Sequence, residues 1–377
     1  MIIQIERVSM SVATKEDTYN FAKKFSHYKD FYARTNDLIV SKLGIGTFVQ
    51  EPYKEENYVF DYISSIKEAI KNGINLIDTA SNYRYGQSEK EIGIALGELI
   101  QNKEIKREAL IICSKGGFIQ LSYPFPKNPY TWIKENIIAP KRAYKEDIEL
   151  DQHCMSEDYL EWSCRKSLEN LGIESLDIYY LHNPEMQMMR LGERAFYAQI
   201  EKIFARFESL ADQGLFQFYG VAVWNGFISN NEELLSLEHL VKIAEKVGGK
   251  NHRFKYIQTP FNMAKTDIYS RLTQVVSSKP CTLLQAAHAL NIGVISSSSL
   301  LQMNLFKKSF SKESGVILDE SMILSNDIQL ALQFVRSTPG IVSSLFGSKS
   351  PQHIRENLKI SNIKSISKAR YDLLFKL

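Results

Sequence analysis

The sequence has little of what marks specialised protein classes: a small net charge, few cysteines and no long hydrophobic stretch. Its net charge is +3 at pH 7 and it holds no long basic run, so nucleic acid is not an expected partner. Glu6 and Arg7 interrupt the N-terminus early, and no apolar run is long enough to span a bilayer. The cysteines show no spacing typical of metal sites; they are Cys113, Cys154, Cys164 and Cys281. We therefore expect a cytoplasmic protein with reduced thiols and no membrane segment.

What the sequence does have is an ordinary globular composition, 44% hydrophobic and 24% charged, arranged as alternating strand and helix patterns. Short apolar stretches predict strands at 43–48, 74–78, 110–114, 176–181, 218–223, 256–259, 293–297 and 341–346. Helical spacing predicts helices at 59–71, 88–100, 156–171, 195–213, 232–247, 282–290, 323–336 and 351–358, with Ser156 as an N-cap.

Eight such units in about 320 residues predict an α/β fold, a (β/α)₈ TIM barrel in a single domain. The alternative is a doubly wound open sheet, which would need a glycine-rich phosphate fingerprint after its first strand. The stretch Gly44-Ile45-Gly46 lies inside the predicted first strand and lacks the third glycine of that fingerprint.

Four polar residues stand at or just after the ends of three consecutive predicted strands. Asp78 ends the second strand, Lys115 follows the third and His182 follows the fourth. Tyr83 lies in the loop after the second strand. Each has an ordinary alternative: the carboxylate caps a loop, the lysine reaches solvent, the histidine is a core residue and the phenol is a rim residue. Because chemistry in parallel α/β barrels collects at the C-terminal ends of the strands, we expect the four to share one site.

This set of residues suits proton donation to an oxygen that gains negative charge. A phenol has a pKa of about 10, and a neighbouring ammonium group favours the phenolate and lowers that pKa. The carboxylate would keep the ammonium charged and aimed, and the imidazole would hydrogen-bond a carbonyl oxygen. Hydride addition to a C=O bond, with the hydride supplied by a nicotinamide cofactor, needs such an acid.

Several motifs, kept in order from about residue 36 to 358, resemble the aldo-keto reductase family. They are Asp78-Thr79-Ala80-Ser81-Asn82-Tyr83, Gly86-Gln87-Ser88-Glu89, Ser114-Lys115-Gly116, Leu176-Asp177-Ile178-Tyr179-Tyr180-Leu181-His182, Ile257-Gln258 and Glu356-Asn357-Leu358. The resemblance implies that Tyr83 is the proton donor, that Lys115 and Asp78 tune it, and that His182 positions the carbonyl.

The resemblance also implies a cofactor lying across the barrel mouth, NADP(H) in preference to NAD(H), and no metal. It places the cofactor contacts at Gly46, Thr47, Phe48, Asp78, Asn225, Gln258, Ser298, Leu300, Gly347, Lys349, His353, Glu356 and Asn357. It places the substrate contacts at Tyr83, His182 and Trp224, with a small carbonyl or alcohol compound as substrate.

The sequence departs from the family pattern at the predicted cofactor pocket. The family usually has Ser-Asn after strand five, where this chain has Ala222 and Val223, so Asn225 is the candidate replacement. Ser297 stands where a tyrosine often stacks on the nicotinamide, leaving Phe48 or Trp224 to supply that contact.

A second departure concerns the 2′-phosphate of the cofactor. Gly347 and His353 stand at the usual lysine and arginine positions, and Lys349 is the candidate substitute. The neighbouring stretch Gly347-Ser348-Lys349-Ser350 would offer backbone N–H groups and one charge to a phosphate. The alternative for Lys349 is a solvated loop charge.

The remaining segments are expected to flank the barrel. We divide the chain into an N-terminal extension at 1–35, the barrel at 36–361 and a C-terminal tail at 362–377, with a small hairpin near 37–40. The insertion 118–155 and the loop 301–322 should wall the substrate pocket, because they follow strands three and seven. The aromatic residues of the insertion favour a substrate with apolar or ring character; alternatively they only cover the rim.

The favoured hypothesis is an NAD(P)(H)-dependent carbonyl reductase or alcohol dehydrogenase. A rival is a barrel that holds a nucleotide to sense redox state or bind a partner, with little turnover. A third is a metal-free isomerase or lyase using His182 and Lys115, which would give no reason for Tyr83, Gln258 and the Glu356-Asn357 pair to occur together.

Overall fold

A computed structural model describes residues 11–49, 62–229, 234–307, 312–319, 323–324 and 326–376. The strands, in chain order, are β1 (Tyr32–Thr35), β2 (Leu38–Ser41), β3 (Leu43–Gly46), β4 (Leu76–Asp78), β5 (Ile111–Gly116), β6 (Ile148–Glu149), β7 (His153–Cys154), β8 (Leu176–His182), β9 (Phe216–Ala222), β10 (Phe254–Pro260), β11 (Gln274–Val276), β12 (Lys279–Cys281), β13 (Gly293–Ser297) and β14 (Ile341–Phe346).

Eight parallel strands form a closed barrel, which confirms the predicted (β/α)₈ fold and excludes the open sheet. Their order is β3-β4-β5-β8-β9-β10-β13-β14, and β14 pairs with β3 to close the ring. Two predicted strands, 293–297 and 341–346, are confirmed at both ends, and the other six barrel strands end within two residues of their predicted limits. The strands could be located because both of their faces are covered, which makes them continuous apolar runs.

The helices surround the barrel and alternate with its strands. They are α1 (Lys15–Lys24), α2 (Ile63–Lys71), α3 (Gln87–Gln101), α4 (Pro129–Ile133), α5 (Glu157–Leu171), α6 (Met188–Leu191), α7 (Glu193–Asp212), α8 (Leu237–Gly248), α9 (Asp267–Ser270), α10 (Leu283–Ala289), α11 (Lys312–Leu318), α12 (Asp327–Arg336), α13 (Pro351–Asn357) and α14 (Lys368–Tyr371). None of them, within the described part of the chain, combines the length and apolarity that crossing a bilayer needs.

Side-chain caps decide where several helices begin. Ser156 accepts a hydrogen bond from the Tyr159 N–H, which confirms it as the N-cap of α5. Two helices begin after N-caps that the prediction missed, α8 after Ser236 and α12 after Asn326, so the described residues 234–236 and 323–324 are not helical as predicted. The first residues of the predicted helices 59–71 and 232–247, at 59–61 and 232–233, lie outside the described residues.

The N-terminal end of the barrel is closed by residues from the predicted extension and hairpin. Strands β1 and β2 form the hairpin expected near 37–40, and Leu38 and Val40 pack with Ala13 against the barrel interior. Helix α1, which the sequence did not predict, begins after the N-cap Thr14. The division of the chain at 1–35, 36–361 and 362–377 stays a prediction.

Candidate active site

Four polar side chains meet at the C-terminal end of the barrel, at three neighbouring strands. Asp78 is the last residue of β4, Lys115 lies one residue before the end of β5, and His182 is the last residue of β8. Tyr83 opens the 3₁₀ turn Tyr83–Gly86 that follows β4. The structure therefore brings together the four residues that the sequence singled out.

The ammonium group of Lys115 joins this cluster. Its Nζ lies 2.5 Å from Oδ2 of Asp78, 2.7 Å from the main-chain oxygen of Thr79 and 3.5 Å from the hydroxyl of Tyr83. The Nε2 of Gln258 donates to Oδ1 of Asp78 at 2.8 Å, so both carboxylate oxygens are bonded. Lys115 and Asp78 are buried, which strengthens these hydrogen bonds and fixes the direction of the ammonium group.

Burial and charge set the protonation of this cluster. Burial raises the pKa of the Tyr83 phenol above its ordinary value, while the Lys115 ammonium acts in the opposite direction and is outweighed. The sequence-based expectation of a lowered phenol pKa was therefore wrong in its net direction. Burial tends to lower the pKa of Lys115, but Asp78 and Tyr83 raise it above the ordinary value, so the ammonium stays charged.

His182 sits beside the phenol as a neutral imidazole. The His182 and Tyr83 rings meet edge to face, with 6.0 Å between their centres. Burial, and then the nearby charge of Lys115, lower the pKa of His182 well below its ordinary value. Its Nδ1 is buried without a hydrogen-bond partner in the described part of the chain, so the ring keeps hydrogen-bonding capacity for a ligand.

The loop after β9 is held by two residues that the sequence reasoning missed. The buried Glu185 carboxylate accepts from the Trp224 N–H at 2.8 Å and from the Asn225 N–H at 3.3 Å. The Lys265 ammonium donates to the Asn225 side-chain oxygen at 2.6 Å and lies 5.2 Å from the centre of the Trp224 ring. Asn225, the expected replacement for the family's Ser-Asn pair, is thus exposed and engaged by Lys265.

The other expected cofactor positions lie on loops and a helix that follow β3, β13 and β14. Phe48 is 46% exposed and its ring meets that of Tyr83 edge to face at 5.2 Å. Thr47 is buried and donates to the Thr79 hydroxyl at 2.9 Å, whereas Gln258 is bonded to Asp78 as described above. The remaining positions are Gly46 at the end of β3, Ser298 and Leu300 after β13, Gly347 and Lys349 after β14, and His353, Glu356 and Asn357 on α13.

Two further features lie beside residues of this site. The insertion places Phe118 against His182, with 4.9 Å between ring centres, and Phe125 against Tyr85 at 4.9 Å, so it contacts the site as expected. Arg84, directly after Tyr83, is buried and forms a two-pronged ion pair with Glu91 at 2.7 and 2.8 Å. That pair holds the turn against α3. In the sequence, its only sign is that Glu91 follows Arg84 by seven residues.

Comparison with known proteins agrees with the barrel. The model of the Aldo/keto reductase family matches residues 42–322. An NADH-specific methylglyoxal reductase of Escherichia coli (strain K12) is 24% identical over 344 residues, which cover 87% of this chain and 92% of that protein. Protein tas of the same organism is 24% identical over 354 residues, covering 86% of this chain and 90% of its own.

Solved structures show the same fold at low sequence identity. The glycerol dehydrogenase of Gluconobacter oxydans superposes with a TM-score of 0.60 at 18% identity, covering 92% of this chain and 94% of that one. An aldo/keto reductase of Klebsiella pneumoniae, in complex with NADP and acetate, gives 0.55 at 16% identity, covering 92% and 95%. The thermostable reductase Tm1743, bound to epalrestat, gives 0.59 at 20% identity, covering 92% and 98%.

Proposed function

Since this chain belongs to the aldo/keto reductase family, we propose that it interconverts a carbonyl and an alcohol by hydride transfer, with Tyr83 as the proton donor. The substrate would be an aldehyde, ketone or sugar, and the cofactor NADP(H) or NAD(H). The observation that carries the proposal is the position of the Lys115 ammonium between the Asp78 carboxylate and the Tyr83 hydroxyl.

Each member of the cluster has one task in the reduction. A bound nicotinamide cofactor supplies the hydride that adds to the carbonyl carbon. As the carbonyl oxygen gains negative charge, Tyr83 gives it a proton, and the phenolate that results is stabilised by the Lys115 ammonium. Asp78 keeps that ammonium charged and directed. The neutral imidazole of His182 donates a hydrogen bond to the same oxygen, and the reverse steps oxidise the alcohol.

The residues after β13 fit the phosphates of such a cofactor. The Ser299 hydroxyl is buried without a partner in the described part of the chain, between the expected contacts Ser298 and Leu300. The segment from Gly347 to Lys349 and the residues His353, Glu356 and Asn357 would hold the adenosine end. Gly46, Thr47 and Phe48 would border the nicotinamide. We propose NADP(H) as the preferred cofactor, with Lys349 on the 2′-phosphate, and NAD(H) as the alternative.

The decisive experiment removes the phenolic hydroxyl alone. Tyr83→Phe should lower kcat for aldehyde reduction by about 100-fold or more, because it deletes the general acid, with cofactor affinity nearly unchanged. NADPH and NADH fluorescence titrations and steady-state rates on aldehydes, ketones and sugars measure both quantities. Tyr85→Phe, the same change on the same turn, is the control and should keep most activity. A Tyr83→Phe enzyme that reduces aldehydes at the wild-type rate would remove Tyr83 from its assigned role.

One observation favours a second candidate, a nucleotide-binding sensor with little turnover. Ala222 and Val223 offer no side-chain hydrogen bond to the carboxamide of nicotinamide, and Asn225 is engaged by Lys265. Such a sensor would bind NADPH or NADH in the titration and reduce none of the carbonyl compounds, whereas the proposed reductase does both.

A further inference from the structure

The long insertion returns to the barrel beside the active site and is bonded to it. The Cys154 N–H donates to the Gly117 carbonyl at 2.7 Å, and the Ile119 N–H donates to the Gln152 carbonyl at 2.7 Å. These two bonds place β7 alongside the chain that leaves β5, so His153 lies close to the end of β8. His153 is fully buried there.

The hydrogen bonds of His153 select one tautomer. Gln187 is oriented by Arg190, whose guanidinium donates to the Gln187 side-chain oxygen at 2.8 Å. The Gln187 Nε2 therefore faces the His153 ring and donates to its Nδ1 at 3.1 Å. The proton must then sit on Nε2 of His153, which donates it to the main-chain oxygen of His182 at 2.7 Å.

The bonded carbonyl belongs to the residue whose side chain enters the active site. Strand β8 ends at His182. The next residue, Asn183, has a φ of 46°, so the main chain leaves the strand direction directly after His182. Phe118 packs edge to face on both imidazoles, with 5.3 Å to His153 and 4.9 Å to His182 between ring centres. The contact needs Gly117, since a Cβ there would lie 2.6 Å from the His182 oxygen and 3.0 Å from Nε2 of His153.

We propose that His153 is a positioning residue, which holds the main chain of His182 through its Nε2–H and so keeps the catalytic imidazole beside Tyr83. This inference rests on the proposed carbonyl reduction for its kinetic consequence. It makes the insertion a working part of the active site rather than a cover over the barrel rim. Burial lowers the pKa of His153 to about 4, so the bond keeps the same tautomer near neutral pH.

Two amide substitutions at His153 distinguish the effect of its hydrogen bond to His182 from the effect of its side-chain volume. Glutamine places its NH₂ group near the position of Nε2 and keeps a donor for the His182 carbonyl, whereas asparagine reaches only to the position of Nδ1. We expect His153→Asn to lower kcat about 10- to 100-fold with KM and cofactor affinity nearly unchanged, because a catalytic group is displaced. His153→Gln should recover most of kcat. His288→Asn, an exposed histidine on α10, is the control and should match the wild type.

A spectroscopic measurement tests the position of His182 without relying on enzyme turnover. In ¹⁵N-edited NMR of the whole chain, His182 should keep its wild-type imidazole shifts in His153→Gln and change them in His153→Asn. The proposal would be overturned if His153→Gln and His153→Asn lost kcat equally. It would also be overturned if a folded His153→Asn protein kept the wild-type kcat and the wild-type His182 shifts. If the wild-type chain reduces no carbonyl compound, the proposed function fails, and the His182 shifts alone decide whether His153 positions it.

Discussion

At the scale of single residues, we expect the buried histidines to make the folded protein less stable in acid. The pKa of His153 falls to about 4 because of burial, against about 6.5 for an unperturbed histidine, and burial and Lys115 also lower the pKa of His182. Between pH 4 and pH 6.5, His153 is largely protonated in the unfolded chain and largely neutral in the folded chain. The stability that these neutral histidines contribute is therefore fully present above about pH 6.5 and is lost as the pH falls toward 4.

The His153→Gln variant tests this pH dependence. For His153 alone the loss between pH 6.5 and pH 4 is on the order of 3 kcal/mol. His153→Gln lacks the titrating group, so its free energy of unfolding should fall less over the same range. Urea unfolding at a series of pH values, followed by circular dichroism, measures the difference. Parallel curves for the two proteins would show that His153 is protonated in the folded state as easily as in the unfolded one.

The sequence revealed the site residues at or just after the ends of barrel strands, and it concealed His153 and Glu185. Asp78, Lys115 and His182 could be identified because each follows an apolar run. His153 and Glu185 could not, because their partners are main-chain groups of other segments, brought near only by the fold. The pKa of Tyr83 was misjudged for a related reason: the lysine was visible in the sequence, but the depth of burial was not.

At the scale of secondary-structure elements, one buried ion pair ties two strands to the N-terminal segment. Arg107 donates to Asp177 on β8 at 2.9 Å and to the Ser175 carbonyl at 2.9 Å. The same carboxylate accepts from the N–H of Ile112 on β5 at 2.6 Å and from the N–H of Ala13 at 2.5 Å. The segment before α1 is thereby bonded to the closed end of the barrel.

Removing the cation of this pair should be costly. Arg107→Leu leaves the Asp177 carboxylate buried without its charged partner, for which we expect a loss of about 3–5 kcal/mol in the free energy of unfolding. The double variant Arg107→Leu/Asp177→Asn removes the buried charge but keeps a side-chain acceptor for a main-chain N–H, so it should recover part of that loss. Arg165→Leu, at an exposed pair with Glu161, should cost less than about 1 kcal/mol and serves as the control. Urea unfolding of the four proteins measures these differences, and a double variant no more stable than Arg107→Leu would contradict this account.

The elements that the sequence missed have weak apolar patterns. Helix α1 buries only Thr18 and Phe21, so its spacing gives little helical signal. The hairpin of β11 and β12 is mostly exposed and contains Pro280, a residue that argues against a strand. Helix starts were misplaced where the apolar spacing continued beyond the N-cap, as it did before Ser236 and Asn326.

At the scale of the whole molecule, the barrel was predictable because the strand-and-helix pattern is repeated eight times. A misplaced end of one strand or helix therefore does not change the predicted fold. The cofactor site stays a prediction, because its expected residues run from Gly46 to Asn357 and several of them are bonded to other side chains. Gln258 is bonded to Asp78, and Asn225 is bonded to Lys265. No sequence motif indicates these contacts.

Cofactor binding should stabilise the entire fold, whichever proposed function holds. A ligand that binds only the folded chain adds about 2.7 kcal/mol at 100 times its Kd, or about 3 °C in Tm for a chain of this size. We expect NADPH to raise Tm more than NADH at equal concentration, and Lys349→Ala to reduce the NADPH shift alone, because the ammonium would bind the 2′-phosphate. Lys359→Ala, at an exposed lysine just after α13, is the control. Equal NADPH shifts in wild type and Lys349→Ala would remove Lys349 from the phosphate site, and a larger shift with NADH would reverse the cofactor preference.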